Sequence, residues 1–183
     1  MSTKRLTAKD FDHRILELYD YYAHGKITKR EFLKNTAKYT AVGVTALSVF
    51  DSLKPNYALA EQVNFNDPEI KANYITYNSA NGNGDINAYY VKPAKVTDKT
   101  SAVLVIHENR GLNPYIKDVA RRVAKAGFIA LAPDGLSSLG GYPGNDGDGK
   151  ALQSKIDRKK LLNDLFNGFE FLYNHQDTTQ KIG

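Results

Sequence analysis

The sequence predicts an α/β open sheet, with an antiparallel hairpin followed by a parallel βαβ unit and a helical segment in front. Three observations carry this prediction. Two β-rich runs flank the Gly/Asn turn Asn81-Gly82-Asn83-Gly84, as in a hairpin. Two continuous apolar runs, Ser101 to Ile106 and Phe128 to Ala132, are too short for helices and do not alternate, which fits strands covered on both faces. Between them lies an amphipathic stretch with a helix start signal and a helix stop signal.

The elements follow in chain order. Tyr74 to Tyr77 and Ile86 to Val91 form the hairpin, and Pro93 closes its second strand. Ser101 to Ile106 forms a buried strand that ends on His107. Asn113-Pro114 then supplies an N-cap and a proline at the first helical position, where the missing N–H costs nothing. Val119, Ala120, Val123 and Ala124 make the inner face of that helix, Lys117, Arg121, Arg122 and Lys125 the outer one, and Gly127 the left-handed stop. Phe128 to Ala132 completes the βαβ unit.

A Gly/Ser/Asp-rich stretch, Pro133 to Gly149, reads as a flexible active-site loop. It is not a phosphate loop, because Gly149-Lys150 is followed by Ala151, nor a calcium loop, because no glutamate stands at the required distance. From Lys159 to Asn174, the residues Leu161, Leu162, Leu165, Phe166, Phe169 and Leu172 trace a second amphipathic helix, and Lys181-Ile182-Gly183 begins a third parallel strand. Chemistry in such sheets sits at the carboxyl ends of the strands, which places residues 107–111 and 133–149 together.

A length of 183 residues suits one domain plus an appendage, here residues 61–183 and 1–60. The zero cysteine count excludes disulfides, thiolate metal sites and a cysteine nucleophile within these residues, and no metal or cofactor site is expected. The net charge of +5 comes from the front third: residues 1–60 hold ten Lys/Arg against six Asp/Glu, whereas the remainder is nearly neutral. That distribution, without a reading module, argues against nucleic-acid binding. No stretch is long and apolar enough to predict a membrane span.

Two readings of residues 1–60 stand side by side. In both, Phe11 to His24 is an amphipathic helix with Phe11, Ile15, Leu18, Tyr19 and Tyr22 on one face, stopped by Gly25. In the first, Thr28-Lys29-Arg30-Glu31-Phe32-Leu33-Lys34, a weakly apolar stretch from Ala37 to Leu53 and Ala58-Leu59-Ala60 follow the order of an export signal. The pattern resembles a twin-arginine signal with Lys29 in place of the first arginine. In the second, one helix from Lys29 to Ser52 turns Phe32, Ala37, Val44, Leu47 and Phe50 inward. Localisation, periplasmic or cytoplasmic, follows from that choice.

The run His107-Glu108-Asn109-Arg110-Gly111-Leu112-Asn113-Pro114, with Asp118-Val119-Ala120-Arg121-Arg122 and Gly127 to Asp134, resembles the dienelactone hydrolase family of α/β-hydrolases over roughly residues 70–183. The resemblance implies the N-terminal part of an α/β-hydrolase open sheet and a carboxylic ester or lactone hydrolase. It implies catalytic roles for Glu108, as the carboxylate that controls the nucleophile's ionisation, and for Asn109, whose backbone N–H forms half the oxyanion hole. The residues themselves agree in kind. A carboxylate at the end of a buried strand is poorly solvated and needs a partner, and a backbone amide there can donate to developing negative charge. Alternatives at this level are a Glu108 pair with Arg110 or Arg121, and for His107 a purely structural role.

Departures from the family pattern shape the expectation further. No G-x-S-x-G elbow occurs, nor its cysteine version; Gly135 to Gly140 has the wrong spacing. The expectation is a chain truncated ahead of its nucleophile, triad Asp and triad His, and inactive alone. The loop 133–149 also lacks the arginine that family members acting on dienelactone use for the substrate carboxylate. The expected partners are a small ester or lactone once the site is complete. The competing class is a non-catalytic interaction or remnant protein that self-associates through the unpaired sheet edge.

Overall fold

The computed structural model describes residues 10–23, 26–40, 45–53, 61–95 and 98–183. The chain divides into two compact units, Met1–Asn56 and Tyr57–Gly183.

The first unit contains α1 (His13–Ala23), α2 (Lys29–Thr36) and α3 (Ala46–Leu53). Ile15, Phe32, Val49 and Phe50 are its buried centre, and Phe11, Leu18, Tyr19 and Tyr22 pack around them. Phe32 and Phe50 meet at 5.4 Å between ring centroids. Thr28 starts α2 with a reciprocal capping box: its hydroxyl accepts from the Glu31 N–H, and the Glu31 carboxylate accepts from the Thr28 N–H at 2.7 Å. The single helix from Lys29 to Ser52 is therefore corrected to two helices. Ala37 and Leu47, expected inside one continuous helix, are exposed: α2 ends at Thr36 and a separate helix begins at Ala46. Gly25, Val44 and Ala58-Leu59-Ala60 lie outside the described residues.

The second unit is built on a five-stranded sheet in the order β1-β2-β4-β3-β5. β1 (Ile70–Ser79) and β2 (Gly84–Pro93) form the hairpin, with Ile70 opposite Pro93 and Ser79 opposite Gly84. β2 runs antiparallel to β4 (Ile129–Pro133), and β4 and β5 (Thr178–Ile182) run parallel to β3 (Thr100–Leu104). α4 (Pro114–Lys125) connects β3 to β4; α5 (Asp146–Gln153) and α6 (Arg158–Asn174) lie between β4 and β5.

Alternation along the central strands decides which helix each side chain meets. Ala130 and Ala132 of β4, with Tyr89 and Val91 of β2, pack with Ala120 and Ala124 of α4. Ile129 and Leu131, with Ile86, Ala88 and Tyr90, pack with Leu172 of α6 on the opposite face. Small side chains on both surfaces at the α4 contact let helix and sheet approach closely.

Several boundaries move from expectation, each for a physical reason. β3 stops at Leu104, so Ile106 is exposed rather than in the sheet, and Phe128 is exposed ahead of β4. The stretch 133–149 is not a flexible loop throughout. Ser137–Leu139 form a 3-10 turn, and α5 begins at Asp146 behind an Asn145 cap whose side chain accepts from the Asp148 N–H. Arg121, expected on the outer face of α4, is buried. It donates to the Val63 carbonyl and to the Tyr89 hydroxyl, and pairs with Glu61 at 3.0 Å, while its neighbour Asp118 accepts from the Gln62 and Val63 N–H groups. Together they hold the incoming segment 61–63 against α4. On α6 the expected apolar face splits: Leu172 is buried, but Leu162, Phe166 and Phe169 are exposed.

Asp164 of α6 is fully buried and clamps the hairpin turn, accepting from the Asn83 backbone N–H at 2.8 Å and from its side-chain amide at 2.6 Å. Asp164→Ala leaves the Asn83 N–H unpaired beneath the turn and should cost about 3 kcal/mol of stability, the scale of a lost charged hydrogen bond. Urea denaturation of the purified variant checks this, and an unchanged midpoint would contradict the clamp.

Candidate active site

The parallel pairing of β3 with β4 continues one step past β3, where the Val105 N–H donates to the Leu131 carbonyl at 2.8 Å. The chain then leaves the sheet as the segment 106–113, next to the segment that follows Pro133. His107 joins the two. Its ring is buried, Nε2 accepts from the Gly135 N–H at 2.9 Å, and Nδ1 lies 2.9 Å from the Glu108 carbonyl. The Gly135 donor fixes Nε2 as the acceptor, so the Nδ1 proton is the one given to the carbonyl. Glycine is required at 135, since a Cβ there would press on the His107 ring and Leu161. His107 is thus structural, one of the roles open from sequence.

Asp134 folds the second segment around itself. Its two carboxylate oxygens accept from the Leu136 N–H at 3.1 Å and the Tyr142 N–H at 2.9 Å. Asp146 ties that segment back to the first, accepting from the Tyr142 hydroxyl at 3.0 Å and lying 3.4 Å from both Arg110 Nη1 and Asn113 Nδ2. Burial, and then the Asp146 charge, push the Tyr142 phenol up. Asn113 meanwhile caps α4 through the Ile116 N–H at 3.0 Å. α5 sits so close to this loop that a Cβ on Gly149 would strike the Arg110 carbonyl.

Glu108 and Asn109 come together on one wall of a cavity of about 500 Å³, with Ile156, Leu161, Leu162 and Leu165 forming an apolar side. Lys150 also lines it; burial, and then the charge of Arg110, lower its ammonium pKa. Glu108 is exposed rather than desolvated as expected, because β3 ends three residues before His107 and the loop carries residue 108 out of the sheet. Its carboxylate has no hydrogen-bond or ion-pair partner among the described residues. The sequence alternatives for it do not form: Arg110 faces Asp146, and Arg121 faces Glu61 and Asp118. A groove of about 590 Å³ beside Tyr77 and His175 lies elsewhere, and no strand-end residue lines it.

Among the described residues no serine or threonine hydroxyl hydrogen-bonds to a histidine ring, and no three His, Asp or Glu side chains converge to hold a metal ion. Sequence reasoning missed Asp146 and the apolar wall from α6. The signal for Asp146 was present in Asn145-Asp146-Gly147-Asp148, which reads as a helix cap as readily as a loop. The wall had no such signal, since only tertiary packing brings α6 beside residue 108.

The sheet order, the single antiparallel strand β2 and the polar strand-end loops define an open-sheet α/β scaffold of the hydrolase type. The dienelactone hydrolase family model matches residues 86–183, so the chain belongs to that family. A YqhI-like family model matches residues 2–41. The chain is 71% identical over 114 residues to YghX of Escherichia coli K12, named as a hydrolase fragment, covering 62% of this chain and 97% of that one. It is 29% identical over 101 residues to a protein of Yersinia pestis named as a carboxymethylenebutenolidase, covering 54% of this chain but 38% of that one. A crystal structure from Klebsiella pneumoniae named as a dienelactone hydrolase aligns with a TM-score of 0.49 at 24% identity, over 62% of this chain and 48% of that one. The chain therefore spans less than half the length of these last two relatives.

His107→Ala should free the Gly135 N–H and cost about 2 kcal/mol, the scale of an orphaned buried donor. It should also speed hydrogen exchange at the Gly135 amide well beyond that of the β4 amides. Unchanged exchange at Gly135 would contradict the bridge between the two loops.

Proposed function

We propose that residues 61–183 form the carbonyl-holding wall of a carboxylic ester or lactone hydrolase. In this reading the Asn109 N–H is half of the oxyanion hole, and Glu108 is the carboxylate that assists the nucleophile. The attacking atom is supplied by a polypeptide segment other than these 183 residues, which do not turn over esters alone. The observation that carries the reading is the placement of Glu108 and Asn109 together at the strand ends, beside an apolar cavity, in a sequence with no nucleophile elbow.

The chemistry follows from charge. As a nucleophile adds to an ester carbonyl, negative charge develops on its oxygen, and a fixed backbone donor stabilises that charge without reorganising. A carboxylate beside the attacking group takes or directs its proton. Glu108 stands at the strand ends where such a group would act. Without the attacking atom, donors and binding alone leave only a small rate over water. The apolar side formed by Ile156, Leu161 and Leu165 and the missing arginine in 133–149 favour an ester or lactone other than dienelactone itself.

For residues 1–60 we favour a folded helical unit over an export signal. The supporting observation is Phe32, which sits inside the Ile15, Val49 and Phe50 cluster and follows a capped helix start.

Joining residues 61–183 to the complementary half of a family member that carries its own elbow should produce hydrolysis of a nitrophenyl ester. Glu108→Ala in that chimera should lower kcat about 100-fold, the scale of general acid–base assistance. A folded chimera that hydrolyses no small ester, or one indifferent to Glu108→Ala, would count against the assignment.

A further inference from the structure

An exposed apolar stripe on α6 begins at Leu162, which also lines the cavity of the proposed site, and continues along the helix beyond it. Leu162, Phe166, Phe169 and Tyr173 are 53%, 60%, 39% and 42% exposed. They recur at spacings of four, three and four, which lines them up along one stripe of the helix. Phe169 and Tyr173 already stack on each other at 6.1 Å. Taking about 200 Å² for each large side chain, the stripe leaves roughly 400 Å² of apolar surface in water.

The β5 edge, where association was expected from sequence, is poorly made for it. β5 reads Thr178-Thr179-Gln180-Lys181-Ile182, its register against β3 shifts between Thr100 and Ala102, and Gln180 has a φ of +64°. A polar, bulged edge carrying a lysine is a poor template for another strand. The apolar helix face has no such protection.

We propose that α6 is an interface between two copies of this chain, paired antiparallel through Leu162, Phe166, Phe169 and Tyr173. A stripe of this spacing is self-complementary under a two-fold axis, with Phe166 of each copy against Phe169 of its partner and Leu162 against Tyr173. Charge sets the direction. α6 opens with Arg158, Lys159 and Lys160, which oppose the positive end of its own dipole and are offset only by the Asp157 cap, and its last turn holds no basic residue. Antiparallel pairing brings those three cations beside the uncompensated negative end of the partner's α6. Parallel pairing would stack six like charges at one end. The area is about half of what a standard interface buries per partner, so the dimer is weak and concentration-dependent.

Light scattering of the purified chain across a dilution series tests this. The expected result is a dimer that dissociates on dilution and is lost in Phe166→Arg, with the far-UV spectrum unchanged because Phe166 faces water. The absence of native cysteines allows a second arm on direction. A mixture of the single variants Leu162→Cys and Tyr173→Cys should oxidise to the mixed disulfide in preference to either homodimer. A chain that stays monomeric up to about 1 mM, including one that only binds anionic vesicles, overturns the proposal. So does a dimer that survives Phe166→Arg, or one whose crosslinks are mainly Leu162→Cys to itself.

Discussion

The ring of His107 holds the strand-end region together. Two loops leave adjacent parallel strands, and each must satisfy backbone groups that the sheet no longer pairs. A single buried imidazole does this for both, taking the Gly135 N–H on one nitrogen and giving its proton to the Glu108 carbonyl from the other. That bridge fixes where residue 108 leaves the sheet, and so where its side chain and the Asn109 N–H stand. Asp134 and Asp146 extend the same logic outward: the Asp134 carboxylate folds the second segment around itself, and Asp146 ties that segment to the first through Tyr142 and Arg110. The wall of the cavity is thus a set of polar anchors on a rigid apolar sheet.

Much of the architecture was legible because it rests on local patterns. The Asn113-Pro114 start, the Gly127 stop and the unalternating run at Ile129 to Ala132 each encode a backbone or burial requirement directly, and the sheet and α4 form where they point. The failures share a cause. Arg121 reads as a surface cation until segment 61–63 arrives to use its guanidinium, and Asp164 reads as a polar helix position until the hairpin turn docks over it. The face of α6 misled in the opposite sense: apolar periodicity shows which residues want cover, not whether cover is present. Glu108 was found through resemblance, and its exposure could not be read from a strand that ends four positions earlier.

The two units carry different kinds of information. The helices of the first bury an aromatic cluster and need no sheet to do so. The second commits its central strands to burial on both faces, yet leaves one helix face and the outer edges of β1 and β5 open. The open face of α6 lies on one side of the sheet, while on the other the segment 61–63 is held against α4 by Arg121 and Asp118. This asymmetry links the proposed incomplete site to the proposed association of α6, because both arise where the apolar surface of the fold lacks cover.

Fluorophosphonate labelling of the purified 183-residue chain, read by intact mass, bears most directly on the proposed division between carbonyl-holding wall and attacking atom. An activated serine reacts with such a probe whatever the natural substrate is. No adduct should form above the level of the heat-unfolded chain. A single stoichiometric adduct on one serine, lost in Glu108→Ala, would place the attacking atom within these residues and contradict the proposal.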